Sequence, residues 1–550
     1  ADSKSWFLIY MYRYHTLALK HSVKKQITMK TKKLYIALSM LAATVGFSSC
    51  DSYLDKLPDN RMELSSPEDV SKLLVSAYSE IHPVYILEMY SDNTDEYDNT
   101  AWTAESRMQD QAYAWKDITD PGSTNESVVN IWDGYYSAVR TCNEAIAYIK
   151  KLSATEQEDY KAQLGEALVA RAYAEFMLST VFCRAYNPET AATDLGLPYP
   201  TEPNYSLVVN YERGTLADLY AKIDADLKEG LPLLTNTYDH PKFHFTPAAA
   251  NAFAARFYLY YQKPELAIAH ANAVLGTEPA SKLRNWTAWN QLSANDQIQP
   301  NAYVNSSNPA NLLLQVVYSG WGYYGGPTLL GKKYAHGRMI SQTETLQAQG
   351  PWGKTADVCG YKVFSNDALS NYFLRTIPGI PQYTDEQQTT GFIQSELSCF
   401  NTDETLLVRA EAYAMQKDYV NALKDINAEL SAFAPGAKPL TLETIKDFYD
   451  NLDYYTPENP TPKKELHPCF ALDMENQEPM LQCILQLRRL LTIHQGLRMQ
   501  DIKRYGITIY RRRLTEGNEI ERVTDKMDKD DPRLAIQLPS EVLSAGMQAN

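Results

Sequence analysis

The sequence lacks the short motifs that mark common catalytic and metal centres. It contains no His-Glu-x-x-His pattern for zinc, no Gly-x-Ser-x-Gly turn for a nucleophilic serine, and no phosphate loop ending in Gly-Lys-Ser or Gly-Lys-Thr. His240 and His244 have helical spacing, but Pro241 between them and Pro247 after them predict a loop. These absences weigh against zinc-dependent, serine-dependent and nucleotide-dependent enzymes.

Cysteine is scarce, and its spacing excludes a cysteine-rich metal site. Seven cysteines occur in 550 residues and none forms a Cys-x-x-Cys pair. A chain of this length can bury a large core without disulfides, so the cysteines need not pair to hold the fold. Pairing in an oxidising compartment stays open for six of them: Cys142, Cys183, Cys359, Cys399, Cys469 and Cys483.

Positive charge is also in short supply. The chain carries 52 Lys and Arg against 67 Asp and Glu, a formal net charge of −15. Nucleic-acid binding depends on basic side chains that neutralise phosphates, and the longest basic cluster here is Arg511–Arg513. We therefore predict no nucleic-acid partner.

The longest apolar run near the start is too short to span a membrane, which needs roughly 20 residues. It extends from Leu34 to Phe47, follows Lys30, Lys32 and Lys33, and ends at Ser48-Ser49-Cys50. This order is typical of a bacterial lipoprotein signal peptide over residues 29–49, with Cys50 as the lipidated residue. Residues 1–28 are interpreted as an upstream extension. Secretion without a lipid is the alternative, because Phe47 departs from the usual Leu.

Helical periodicity predicts a mostly α-helical scaffold over residues 50–276. A helix begins at Pro67, and a predicted antiparallel pair covers residues from Val128 and from about Glu158 to Phe182. The periodicity stops over residues 90–125, which we interpret as a long loop or strandless insertion.

Small-residue patterns recur along the chain and suggest stacked helical pairs. They occur at residues 170–174, 254–258 and 409–414, and the last two are each followed by a short break and a second helix. Close helix crossings of this kind predict a tetratricopeptide-like scaffold, although an irregular helical bundle is the alternative.

Residues 277–402 are predicted to form a loop-rich variable subdomain, and residues 403–550 a C-terminal helical pair with a terminal region. Asn311–Tyr318 is an apolar run that predicts a short buried strand, whereas the glycine-rich run from Ser319 to Pro327 predicts irregular structure.

The loops supply the candidate binding residues. Sugars stack their C–H faces on aromatic rings while their hydroxyls need polar partners, and binding residues often lie on loops. The candidates are Trp286, Trp289, Trp321, Tyr323 and Tyr324, together with Trp102, Asp92 and Asn93. The alternative is that some of these aromatic residues fill the core.

The acidic segment Asp92–Asp98 offers carboxylates for a catalytic or calcium site. Its spacing does not match the EF-hand pattern, and crowded loop carboxylates are usually solvated. No catalytic residue, cofactor or metal ligand is assigned, although a loose calcium site stays open.

Taken in order, several stretches resemble the SusD/RagB family of outer-membrane nutrient-binding lipoproteins. The resemblance rests on Cys50 and on residues 53–58, 68–78, 132–146, 171–173, 197–199, 409–413, 496–506 and 538–541. The chain departs from the family at His494-Gln495, in place of a frequent Glu, and at Ala545-Gly546, in place of Asn-Pro.

The resemblance implies a SusD-like scaffold of tetratricopeptide-like pairs, anchored to the outer face of the outer membrane by lipid. It also implies a non-enzymatic lid that captures oligosaccharide, or in some branches peptide, for a SusC-like TonB-dependent transporter. In the 496–506 motif we expect Arg498 and Asp501 to pair locally at i, i+3 and to bind no ligand. A helical-repeat scaffold lipoprotein of an envelope assembly is the alternative function, and a hydrolase comes third.

Overall fold

Helices make up most of the protein, as the apolar periodicity predicts. The computed structural model describes residues 64–98, 103–122, 125–203, 211–293, 297–324, 333–361, 363–366, 371–385 and 391–550. The predicted extension, signal peptide and Cys50 lie outside these residues. From Glu63 to Asn550 the chain forms one compact unit, and the predicted boundaries after residues 276 and 402 stay predictions.

The helices have the following bounds: α1 (Pro67–Leu74), α2 (Val84–Tyr90), α3 (Arg107–Tyr113), α4 (Val128–Lys151), α5 (Ala154–Gln157), α6 (Lys161–Phe182), α7 (Leu216–Gly230), α8 (Pro247–Tyr260), α9 (Pro264–Leu275), α10 (Trp286–Asn290), α11 (Ile298–Tyr303), α12 (Trp321–Tyr324), α13 (Arg338–Thr343), α14 (Thr355–Val358), α15 (Thr402–Met415), α16 (Tyr419–Phe433), α17 (Leu442–Asp450), α18 (Gln477–Leu491), α19 (Arg498–Tyr505) and α20 (Ser540–Ser544). Short 3-10 turns lie at Val75–Ala77, Glu158–Tyr160, Leu231–Leu233, Pro241–Phe243, Pro279–Lys282 and Pro532–Leu534.

The predicted helices at Val128 and up to Phe182 are confirmed as α4 and α6, which pack against each other. α4 begins where the Ser127 side chain accepts the Asn130 N–H, and α8 begins with a Thr246 cap before Pro247. α1 starts at Pro67 as predicted but ends at Leu74, because the chain continues as a 3-10 turn.

The helical pairs carry a repeated Asn–Arg–Asp triad, in which the arginine and the aspartate are buried. In the first copy, Arg171 of α6 binds Asp226 of α7 at 2.7 Å and Asn143 of α4 at 2.7 Å. In the second copy, Arg409 of α15 binds Asp425 of α16 at 2.7 Å and Asn272 of α9 at 2.8 Å. Both arginines belong to the small-residue patterns of the sequence. The same Asn–Arg–Asp arrangement in two places supports the prediction of tetratricopeptide-like pairs.

In the described part of the chain, two sheets and two short hairpins accompany the helices. The strands are β1 (Asp95–Tyr97), β2 (Asn311–Tyr318), β3 (Tyr334–Ala335), β4 (Gln349–Gly350), β5 (Gly353–Lys354), β6 (Phe364–Asn366), β7 (Asn371–Phe373), β8 (Ile380–Tyr383), β9 (Gly391–Asn401), β10 (Ile509–Leu514) and β11 (Ile520–Met527). One sheet has the order β11-β10-β1-β3 and the other β2-β9-β8, while β4-β5 and β6-β7 form separate pairs.

The predicted strand at Asn311–Tyr318 is confirmed as β2. Two other expectations, for residues 90–125 and for the run after β2, were wrong. The insertion at residues 90–125 is not strandless, because β1 pairs in parallel with β10, far along the chain. The run after β2 is not wholly irregular, because Trp321–Tyr324 makes one helical turn. The first error arises because β10, a distant segment that local patterns do not report, supplies the partner of β1.

A buried charge network joins the 90–98 segment to the C-terminal region. Asp92 accepts both hydrogen bonds of a bidentate contact from Arg498, at 2.7 and 2.9 Å. Glu344 accepts from Lys464 at 2.7 Å and from Arg489 at 3.1 Å. These side chains are all nearly inaccessible to solvent. Buried charges need such partners, because an isolated charge in the core carries a large desolvation cost.

The expected local pair of Arg498 and Asp501 was therefore wrong. Arg498 binds Asp92, whereas Asp501 accepts from Arg488 at 3.2 Å and from Arg504 at 2.9 Å. Asp501 is fully buried, so it is held by side chains of the surrounding core rather than by an exposed helix face.

Among the described helices, none is both long and apolar enough to cross a membrane. The six cysteines from Cys142 to Cys483 are free thiols. The 3-10 turn Pro241–Phe243 confirms that His240 and His244 do not share a helix.

Candidate functional site

The predicted ligand tryptophans lie in the core. Trp286 is 1% exposed and Trp289 5% exposed, and their rings meet edge to face at 5.7 Å. Trp286 also packs on Phe433 at 5.3 Å. The prediction that these two rings stack on ligand is corrected, because their faces are covered by other side chains. Trp286 and Trp289 instead fill the core, which was the alternative interpretation of the aromatic residues.

Trp321 is likewise buried, with 5% of its surface exposed. Its ring stacks on Tyr85 at 5.2 Å, and its indole N–H donates to the His494 carbonyl at 2.8 Å. The indole thus joins the helical turn after β2 to the segment before α19. Its predicted ligand role is corrected for the same reason.

Asp92 and Asn93 were predicted to meet ligand from a solvated loop, and the structure corrects both. Burial disfavours the ionised form of Asp92, but Arg489, Arg498 and Lys464 outweigh it and hold the pKa of Asp92 well below its usual value. The Asn93 amide donates to Glu88 at 3.0 Å and accepts from Arg489 at 2.9 Å. Both side chains are occupied inside the charge network.

The side chains of three further residues predicted to bind ligand lie outside the described part of the structure. Trp102 lies outside the described residues. Tyr323 and Tyr324 have a helical backbone in α12, but their side chains lie outside the described part. Their ligand roles stay predictions.

An exposed aromatic surface lies instead on the three-stranded sheet. β2 and β9 pair with Val316 opposite Glu396 and Tyr318 opposite Gln394, while β8 places Gln382 opposite Phe392. Directly paired residues share one face of a sheet. We call these six side chains the aromatic sheet face: Val316, Tyr318, Gln382, Phe392, Gln394 and Glu396.

The rings and the polar groups of the aromatic sheet face are both accessible. Tyr318 and Phe392 meet edge to face at 4.9 Å, and Phe392 is 40% exposed. Gln382 and Gln394 are half-buried beside them. Partial burial raises the pKa of Glu396 above its usual value. Ring faces, amide groups and a carboxyl group therefore lie together on one surface.

The opposite face of the sheet is fixed by the core. Leu313 and Val317 are buried, and the Tyr173 hydroxyl donates to Gln315 at 3.4 Å. The Tyr318 N–H donates to the Glu80 carbonyl at 2.7 Å, which ties the free edge of β2 to the segment before α2. The rings therefore project from a surface that is already held in place.

Sequence reasoning missed Phe392, although the signal was present. Residues 392–399 alternate Phe392, Gln394 and Glu396 with Ile393, Ser395 and Leu397, which is the period of a half-buried strand. The sequence predicts a short buried strand over Asn311–Tyr318, whereas β2 exposes Val316 and half-exposes Tyr318 on its solvent side.

Within the described residues, no group of His, Cys, Asp or Glu side chains is arranged to hold a metal ion. The acidic segment considered for calcium is the part of the chain in which Asp92 and Asp95 bind arginines.

Comparison with known proteins agrees with this architecture. Residues 52–259 match a SusD-like family model described as starch-binding and associating with the outer membrane. SusD-like protein P38 of Formosa agariphila is 23% identical over 275 residues, which cover 49% of this chain and 50% of that protein. The match thus spans about half the length of this curated relative.

Solved structures show the fold over most of the chain. A SusD superfamily protein from Bacteroides vulgatus superimposes with a TM-score of 0.61 at 16% identity, covering 88% of this chain and 99% of its own. A SusD-like carbohydrate binding protein from the same species gives a TM-score of 0.56 at 15% identity, covering 88% and 97%. A SusD superfamily protein from Bacteroides thetaiotaomicron gives 0.56 at 16% identity, covering 88% and 100%.

The sequence match covers the N-terminal helical pairs, and the structural match extends through the sheets and the C-terminal helices. The mostly helical architecture with small sheets is that of the SusD superfamily structures. On this evidence residues 52–259 are similar to the SusD-like family, and most of the chain shares the fold of the SusD superfamily structures.

Proposed function

We propose that this protein binds oligosaccharide at the cell surface and passes it to a SusC-like TonB-dependent transporter, on which it acts as a lid. The SusD-like family consists of non-catalytic binding proteins, and its description combines starch binding with association with the outer membrane. A similar structure from Bacteroides vulgatus is named as a carbohydrate binding protein. These likenesses support a binding function rather than a reaction.

The aromatic sheet face is the observation that carries the proposal. A sugar ring can stack its C–H face on Phe392 or Tyr318. Gln382, Gln394 and Glu396 surround the rings with amide and carboxyl groups that can bind hydroxyls. Because the sheet is fixed from behind, little ordering is needed when ligand binds, and this favours affinity.

The surface lies beside the loop-rich part of the chain that was predicted to bind ligand. Tyr318 precedes Trp321–Tyr324 by only a few residues. We infer that Tyr323 and Tyr324 extend the same binding surface. The lipid at Cys50 would hold the protein at the membrane beside its transporter.

Calorimetry with a panel of oligosaccharides and peptides tests the proposal. We expect saturable oligosaccharide binding that weakens about tenfold in Phe392→Ala and in Tyr318→Ala, since a ring contact contributes up to ~1.5 kcal/mol. Tyr383→Ala is the matched control. Tyr383 is 53% exposed on the same sheet but pairs with Gly391, on the opposite face from Phe392.

Unchanged affinity in both ring variants would remove the aromatic sheet face from the binding site. Binding of peptides alone would replace oligosaccharide by peptide as the ligand. Co-purification from native membranes tests the transporter, and recovery without any large barrel protein would contradict the role as a lid.

A further inference from the structure

A second surface feature lies far along the chain from the aromatic sheet face. It is a groove of about 720 Å³ between α4, the segment Pro198–Glu202 and the C-terminal residues Val542–Met547. Its volume falls within the range of roughly 300–1,000 Å³ that ligand sites usually have. We call it the acidic groove.

The floor of the acidic groove is made of rings and prolines. Trp132 and Tyr136 of α4 lie 4.7 Å apart with tilted rings, and Pro198 and Pro200 line the groove beside them. Tyr211, which is 39% exposed, completes the aromatic lining. Surfaces built of aromatic rings and prolines suit extended peptide segments, whose side chains pack between the rings.

The floor is also fixed in shape. The Tyr136 hydroxyl donates to the Pro198 carbonyl at 2.9 Å, and the Asn143 amide donates to the Pro200 carbonyl at 2.8 Å. Asn143 is itself held by Arg171. These carbonyls already accept protein hydrogen bonds, so an occupant would bind the floor mainly by apolar contact.

The rim of the acidic groove is unequal in charge. Among the described residues that line the groove, Glu202 and Glu212 outnumber the one cation, Arg140. Burial, and then repulsion from the Glu541 carboxylate, raise the pKa of Asp133, which is next to Trp132 on α4. All four carboxylate residues are exposed, and none forms an ion pair with a described residue. A basic occupant would relieve this repulsion.

We propose that the acidic groove binds an extended, proline-containing and lysine- or arginine-bearing segment of a partner protein. The apolar residues of the segment would lie on Trp132, Tyr136 and Tyr211, and its cations would face Glu202 and Glu212. This site is separate from the aromatic sheet face, so saccharide binding there can fail without affecting this inference.

Fluorescence anisotropy with two short labelled peptides tests the inference on the full chain in detergent. One peptide alternates lysine and proline, and the other has glutamate in place of lysine. We expect saturable binding of the lysine peptide, weakening as salt screens the rim charges, and no binding of the glutamate peptide. The double variant Glu202→Gln/Glu212→Gln should lower affinity about tenfold.

Two further variants separate the apolar contribution to peptide affinity from the contribution of the rim charges. Tyr211→Ala should also weaken the lysine peptide, because the ring is an apolar contact on the exposed rim. Glu516→Gln/Glu519→Gln, which removes two carboxylates from the β10–β11 turn, is the control and should leave affinity unchanged. Equal binding of both peptides, or no effect of the Glu202→Gln/Glu212→Gln pair, would overturn the proposal. Binding of oligosaccharide in the groove, lost in Tyr211→Ala, would also overturn it.

Discussion

At the scale of single residues, burial decides which polar side chains could serve a ligand. Asp92 looks like a loop carboxylate in the sequence, yet its partners Arg489 and Arg498 lie 397 and 406 positions away along the chain. Sequence patterns report neighbours within a helix or strand. They do not report which distant charge will complete a buried pair.

Removing one member of the buried charge network should lower the free energy of unfolding. Arg498→Met leaves Asp92 buried without its bidentate partner, and loss of one partner of a buried pair typically costs 3–5 kcal/mol, so we expect a loss of about that size. Urea unfolding monitored by circular dichroism measures it. Arg522→Met, at an exposed arginine of β11, should change stability by less than about 0.5 kcal/mol. Equal effects of the two changes would contradict a supporting role for the network.

At the scale of elements, the sequence predicted helices better than strands. α4 was predictable because it keeps its apolar period over more than twenty residues. α6 is instead buried on every side from Gly165 to Phe182, and its length and composition indicated a helix. β1 has three residues and depends on β10, so no local pattern could predict it. The candidate site was missed for a similar reason, because Tyr318 of β2 and Phe392 of β9 come together only when these two strands pair.

One contact between elements should make stability depend on pH. Glu126, just before α4, accepts from the Ser319 hydroxyl at 2.6 Å and from the Gly320 N–H at 2.7 Å, and so ties α4 to the end of β2. Burial raises the pKa of Glu126 from 4.5 to about 7, although these hydrogen bonds oppose the rise. The folded state therefore favours the protonated carboxyl.

The sign of the effect follows from this raised pKa. The protonated Glu126 carboxyl contributes to the free energy of unfolding. This contribution is fully present below pH 4.5 and is lost as the pH rises to about 7, where the carboxyl also ionises in the folded state. Glu126→Gln should thus be more stable than the parent above pH 7, by up to roughly 3 kcal/mol, with the difference shrinking toward pH 4.5. Urea titrations across this range measure the difference, and Glu516→Gln serves as the exposed control. A difference that does not vary with pH would contradict the raised pKa.

At the scale of the whole molecule, the fold places two dissimilar surfaces on one scaffold. The aromatic sheet face is held by the core behind β2, and the acidic groove by the Asn143–Arg171–Asp226 triad beneath α4. The contacts described for both surfaces lie within residues 64–550. We predict that binding and anchoring are separable.

Cys50→Ala tests that separation. Because stable membrane attachment of a lipoprotein depends on its acyl chains, we expect the variant to move from the membrane fraction to the soluble fraction. Its affinity for oligosaccharide should stay within about twofold of the parent, since a change of that size is only ~0.4 kcal/mol. Cell fractionation measures the first effect and calorimetry the second, with Cys142→Ala as a control that should stay in the membrane fraction. A soluble variant that had lost its binding would mean that the anchored segment forms part of the site.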